Sequence, residues 1–76
     1  MIERPLDLLN ESKGKEVLIG LKDKSIISGK LLAFDIHINI AIDNAKEIVD
    51  NVAKKSLGLT FLRGDTIIWI SPSQRK

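Results

Sequence analysis

Between Asp35 and Asp43 every second residue is isoleucine, with Ile36, Ile38, Ile40 and Ile42 alternating against His37, Asn39 and Ala41. Successive side chains leave opposite faces of a pleated strand, so a period of two predicts a half-buried strand here, over about 36–44. One face is then core, and the other carries the chain's single histidine two residues from an asparagine. The same period runs through "KEVLIGLK", which predicts a strand over 15–22 with Val17, Ile19 and Leu21 on one face. "SIISGKLLAFD" predicts a longer strand over 25–35, and its internal Gly29 marks a bend or bulge, as small barrels require at their corners. "NAKEIVDN" opens the next connection with Asn44 as its turn residue, "VAKKSLGLTFL" predicts a fourth strand over 52–62 that bends at Gly58, and "TIIWISP" a fifth over 66–71. Ahead of these, Pro5 followed by Leu6, Asp7, Leu8 and Leu9 suits a short helix over 5–12 with proline in its first turn.

One short helix and five antiparallel strands in 76 residues make a single domain, 1–76, of the mainly β class. A sheet that small closes best as a strongly bent, SH3-like open barrel. Its two free edges are then the apolar "LGLTFL" and "TIIWI". A chain of this length buries only about 60% of its unfolded surface, and with no cysteine it has neither a disulfide nor a thiolate-held zinc to staple it. Oligomerisation is the remaining support, and an apolar edge invites it. Pairing the fourth strand of one copy with the fifth of the next is a head-to-tail contact that closes into a ring.

"MIERPLDLLN" has no basic n-region followed by a long apolar run, and no stretch approaches the length of a membrane span, so a cytoplasmic protein without membrane contact is expected. The formal charge of +2 permits an anionic partner, and assembly multiplies that excess. One histidine, no cysteine and no metal-binding or phosphate-loop motif leave no enzyme chemistry, cofactor or metal site to expect.

Two stretches carry a family likeness. Val17 to Ala45, with Gly29 and the run Asp35-Ile36-His37-Ile38-Asn39, resembles the first motif of the Sm and Sm-like proteins, and "FLRGDTIIWISP" at 61–72 resembles their second. "RPLDLLN" is similar to the family's N-terminal helix, so the likeness covers nearly the whole chain. The short connection around "AKEIVDNVAKK" and the absence of tails resemble the archaeal Sm-like proteins more than the spliceosomal ones, and the hexameric bacterial RNA chaperone of this fold has a different second motif. The resemblance implies the Sm fold, a homo-oligomeric ring, usually a heptamer, and a uridine pocket at its lumen for single-stranded U-rich RNA. It also implies a role in RNA processing, as an RNA chaperone or ribonucleoprotein scaffold, alongside other RNA-processing proteins. Carried onto this chain, His37 and Arg63 sandwich the base, Asn39 bonds its edge, Asp65 supports Asn39, and Gly64 brings backbone N–H groups close. Arg4 and Phe34 form a possible second RNA site on the helix side.

The residue types suit that task on physical grounds. Single-stranded RNA is read by splaying a base out, stacking it on a flat side chain and bonding its edge. With Phe34, Phe61 and Trp69 the only aromatics, the stack falls to imidazole and guanidinium. Asparagine supplies both donor and acceptor. Each residue has an ordinary reading too: an exposed strand histidine, a solvated Arg-Gly-Asp turn, and Trp69 at a subunit contact. The competing class is an SH3-like protein-interaction module, which would want a groove of exposed aromatics. RNA binding instead needs His37, Asn39 and Arg63 at one place.

Overall fold

A computed structural model describes residues 5–72. Helix α1 spans Pro5–Asn10, and five strands follow: β1 Glu16–Leu21, β2 Ile26–Phe34, β3 Ile40–Val49, β4 Val52–Leu62 and β5 Ile67–Pro72, with one 3-10 turn at Gly64–Thr66. The helix is shorter than the expected 5–12. After Asn10 the chain tightens into i→i+3 hydrogen bonds, Glu11 N–H to Leu8, Ser12 N–H to Leu9 and Lys13 N–H to Asn10. Gly14 then turns it with φ +82 and donates its N–H to the Leu31 carbonyl, tying the turn to β2.

All neighbouring strands are antiparallel, in the order β4-β3-β2-β1-β5. This is the bent open sheet expected, with β4 and β5 at its edges. The core is small: Val17, Ile19, Ile27, Leu31, Ile40, Ile42 and Ala45 are the buried apolar residues among those described. Leu9 of α1 caps it, with Leu62, Ile67 and Ile70 of the outer strands packed against it. Leu59, Phe61, Ile68 and Trp69 on the two edges stay exposed, so the apolar surface that the core lacks lies where a further strand would pair. Trp69 lies directly over Gly20 of β1, its cross-strand partner, leaving no space for a side chain there. At Gly29 the β2–β3 register slips between Ser28 and Lys30, and Ile42 packs close against it, so the glycine marks the bulge where β2 bends. Gly58, with φ +72, sits in a similar irregularity of the β3–β4 ladder.

The third strand corrects the sequence reading. It runs Ile40–Val49 rather than 36–44, and the isoleucine alternation begins in a turn. Strands β2 and β3 are antiparallel neighbours, and a chain cannot pass from one to the other without residues that reverse it. Residues 36–38 do so as a three-residue hairpin loop: Ile38 N–H bonds the Asp35 carbonyl, Asp35 N–H bonds the Asn39 carbonyl, and Ile38 takes φ +62. Ile36 accordingly points into solvent, 75% exposed. At the other end the turn is Asp50–Asn51, both with positive φ, between the paired Val49 and Val52. Asn44 is not the turn residue. Its positive φ, +51, falls where the β3–β4 register slips between Ile42 and Ala45.

Candidate functional site

The loop at 35–39 is organised by one carboxylate. Asp35 Oδ1 accepts the backbone N–H of His37 at 2.8 Å and of Asn39 at 3.1 Å, and Oδ2 accepts Asn39 Nδ2 at 3.1 Å. The aspartate thus satisfies the loop's inward-turned donors in an Asx-type turn. These bonds favour the ionised form, the Asn39 side chain most of all, and hold the Asp35 carboxyl below its usual range.

The second turn follows β4. Thr66 donates its backbone N–H to the Arg63 carbonyl at 3.0 Å and its hydroxyl to the same oxygen at 2.7 Å, while its own carbonyl accepts Lys22 N–H at 2.9 Å and fixes the turn to the end of β1. This turn lies against the first. Gly64 N–H donates to Asn39 Oδ1 at 2.7 Å, and a Cβ on Gly64 would run into the His37 carbonyl. Glycine is required by that close approach.

His37, Asn39 and Gly64 are therefore brought together, with Arg63 beside them. His37 sits at the tip of a turn rather than on a strand's polar face, and its side chain is exposed. Asp65 does not support Asn39. Its carboxylate pairs with Arg63 at 3.3 Å, both side chains being largely exposed. The expected supporting role belongs to Asp35, which the sequence reading did not place in the site; an aspartate opening a hairpin turn four residues before an asparagine is the signal that marks it. Phe34 is half-buried against the core, and Arg4 lies outside the described residues. No cluster of metal-ligating side chains occurs among the described residues, and none of their helices is long and apolar enough to cross a membrane.

Asn39 is held at both ends. Its carboxamide has two N–H groups and two carbonyl lone pairs. One N–H goes to the Asp35 carboxylate, which can only accept, and one lone pair to the Gly64 N–H, which can only donate. Only one orientation of the amide satisfies both neighbours. It leaves one N–H donor and one lone pair to offer a ligand.

A small open barrel whose two adjacent turns present a fixed amide beside an imidazole and a guanidinium belongs to the class of small β-barrel modules. The comparisons with known proteins are specific. The profile of the LSM domain matches residues 7–72. An Sm-like protein of Thermococcus sibiricus is 44% identical over 72 residues, 95% of each chain, and one of Pyrococcus furiosus is 40% identical over 74 residues, 97% of each. Among solved structures, an Sm protein of Pyrococcus abyssii in complex with a uridine heptamer superposes with a TM-score of 0.88 at 39% identity, covering 93% of this chain and 100% of that one. A heptameric archaeal Sm protein superposes with a TM-score of 0.81 at 38% identity, covering 87% of this chain and 96% of the other. The chain belongs to the LSM, or Sm-like, family.

Proposed function

We propose that the protein assembles into a homo-heptameric ring and binds single-stranded U-rich RNA at the turns facing its lumen. The observation that carries this reading is the Asn39 amide fixed between Asp35 and Gly64. Its remaining donor and acceptor suit the O4 acceptor and N3–H donor of uracil. Cytosine presents the inverse pair, and the amide can match it only by rotating, which would set Oδ1 against the carboxylate and the NH2 group against Gly64 N–H. His37 and Arg63 supply the flat faces that stack the base, as one base per subunit. The uridine heptamer bound to the Pyrococcus abyssii relative and the seven-fold assembly of the archaeal one support both parts of the proposal. So do the exposed apolar edges, Leu59 and Phe61 on β4 and Ile68 and Trp69 on β5, which a head-to-tail neighbour would cover. The protein then acts as a cytoplasmic binding component of RNA processing, a chaperone or ribonucleoprotein scaffold rather than an enzyme, with other RNA-processing proteins as further partners.

One stacked base contributes about 1–3 kcal/mol, too little for useful affinity alone, so binding depends on repeating the contact around the ring. Native mass spectrometry with and without oligouridylates of increasing length tests the proposal. The expected result is a seven-subunit mass and an affinity that climbs with length and levels off at about one nucleotide per subunit. A folded monomer at micromolar concentration, or length-independent binding, would sink it.

A further inference from the structure

The edge strand β4 is built in two parts that meet at Gly58. From Gly58 to Leu62 half-buried and exposed residues alternate, as in a strand packed on the core by one face, and no residue of β4 is extra in its ladder to β3. The one slip there, between Ile42 and Ala45, is taken up by β3. This part carries the apolar Leu59, Phe61 and Leu62. From Val52 to Leu57 every residue is exposed, so neither face packs on the core. The ladder is also interrupted twice. Ala45 faces Gly58 but Lys46 faces Ser56, which leaves Leu57 extra, and Glu47 faces Lys55 but Ile48 faces Ala53, which leaves Lys54 extra. Each extra residue is a bulge that breaks the run of backbone N–H and C=O groups and bends the strand. Bulges and lysines are the devices that close an edge to strand addition, and this part has both.

We propose that this division sets the register of assembly: β5 of a second copy docks on Gly58–Leu62, and the bulged, lysine-bearing Val52–Leu57 is a stop that holds it there. The inference rests on the ring reading above. β5 has six residues against eleven in β4, so length alone would allow several registers. A slip of one residue moves every side chain of the docked strand to the other face. A slip of two toward the hairpin tip sets that strand against the extra Leu57, where its hydrogen-bonding groups meet no regular row of partners, and a larger one sets its isoleucines beside the Lys54 and Lys55 ammonium groups. A slip the other way runs β5 past Leu62 onto the 3-10 turn at Gly64–Thr66, where Thr66 is already bonded to Arg63 and Lys22. The receiving edge is thus bounded at both ends, and Pro72, with no N–H, closes β5 itself. One register means one rotation between successive copies, which a closed ring of a single size requires.

The chain has no cysteine, so introduced pairs cross-link against no background. Each variant of the full chain carries one cysteine on β5, Ile68→Cys or Ser71→Cys, and one on β4, either Leu59→Cys, Thr60→Cys or Phe61→Cys in the receiving part or Ala53→Cys, Lys54→Cys or Lys55→Cys in the stop. Disulfides form only between closely neighbouring strands, so mild oxidation of the assembled protein followed by denaturing electrophoresis maps the register. The expected result is a ladder of covalent oligomers from positions in 59–61 and none from 53–55. Ladders of equal strength from both groups overturn the proposal and leave the ring intact, and so does their absence from every position in an assembly of ring mass, since the copies then join elsewhere. A monomer mass for the wild-type protein would instead remove the ring reading itself. A second variant lacks Leu57 and carries Lys54→Thr and Lys55→Thr, which takes away the nearer bulge and the charges. Native mass spectrometry should show its single assembly mass spread into several, with ladders now reaching 53–55. An unchanged single mass in this variant, once folded, would overturn the stop; if it does not fold, the cross-link map decides alone.

Discussion

The backbone N–H of Gly64 donates to Asn39 Oδ1 at 2.7 Å, across 25 residues of sequence. This bond joins the two turns of the site and, with the Asp35 carboxylate on the other end of the amide, decides which edge Asn39 shows to a ligand.

The amide's orientation should therefore depend on Asp35. In Asp35→Asn the acceptor-only carboxylate becomes a group that can also donate, and Asn39 loses the partner that holds its NH2 group. We expect the ratio of oligouridylate to oligocytidylate affinity to fall by about tenfold, the scale of an unpaired polar contact. Asp65→Asn should leave the ratio unchanged, since Asp65 faces Arg63. Fluorescence anisotropy with both oligomers distinguishes the two variants, and the opposite ranking would return the supporting role to Asp65.

Gly64→Ala tests the contact between the turns. Its methyl group meets the backbone of His37, which cannot move aside as a flexible side chain would. The turns should separate, breaking the Asn39–Gly64 bond, with a stability loss of about 1–3 kcal/mol and at least a tenfold loss of oligouridylate affinity. Urea unfolding and anisotropy measure the two effects, and wild-type affinity in this variant would show that the turns need not touch.

The carboxyl of Asp35 is held below its ordinary value of about 3.9. A depressed folded-state pKa means that the ionised form is the one the fold favours. Its contribution is complete above the unfolded pKa and is lost as pH falls through the lower, folded one. The loop should thus keep its order down to about pH 4 and lose it below. The Asn39 side-chain amide resonances report this directly by NMR. Loss of the loop's order well above pH 4, with Asp35 still ionised, would contradict it.

Ile38 adopts φ +62, which a β-branched residue rarely accepts, while its side chain packs against the core. Burial of the side chain offsets a backbone cost of about 1–2 kcal/mol. Ile38→Ala loses the anchor and keeps the backbone cost, whereas Ile38→Gly loses the anchor and relieves it. We expect the glycine variant to be the more stable of the two by about 1 kcal/mol, the reverse of the usual order in a strand. Urea unfolding at one protein concentration checks the order, and Ala above Gly would mean that Ile38 carries no strain.

The sequence by itself determined the short helix, the five strands and the apolar edges, and it named His37, Asn39, Arg63 and Gly64 as candidates that the fold then brings to one place. Each rests on local information: a period of two in the strands, proline opening the helix, glycines where the sheet bends, and two motifs whose residue types suit a base. What it did not determine was the chain reversal at 36–38. Alternation of isoleucines continues through a hairpin loop as readily as through a strand, and only the pairing of β2 with β3 shows that the chain must turn there. Nor did it determine the partner of Asn39. Asp35 and Asp65 are equally acceptable acceptors on paper, and the choice falls to Asp35 because the loop closes around its carboxylate while Asp65 lies within reach of Arg63. The fit of Gly64 against the His37 carbonyl is likewise a contact between distant segments, decided where the folded sheet brings two turns to one place.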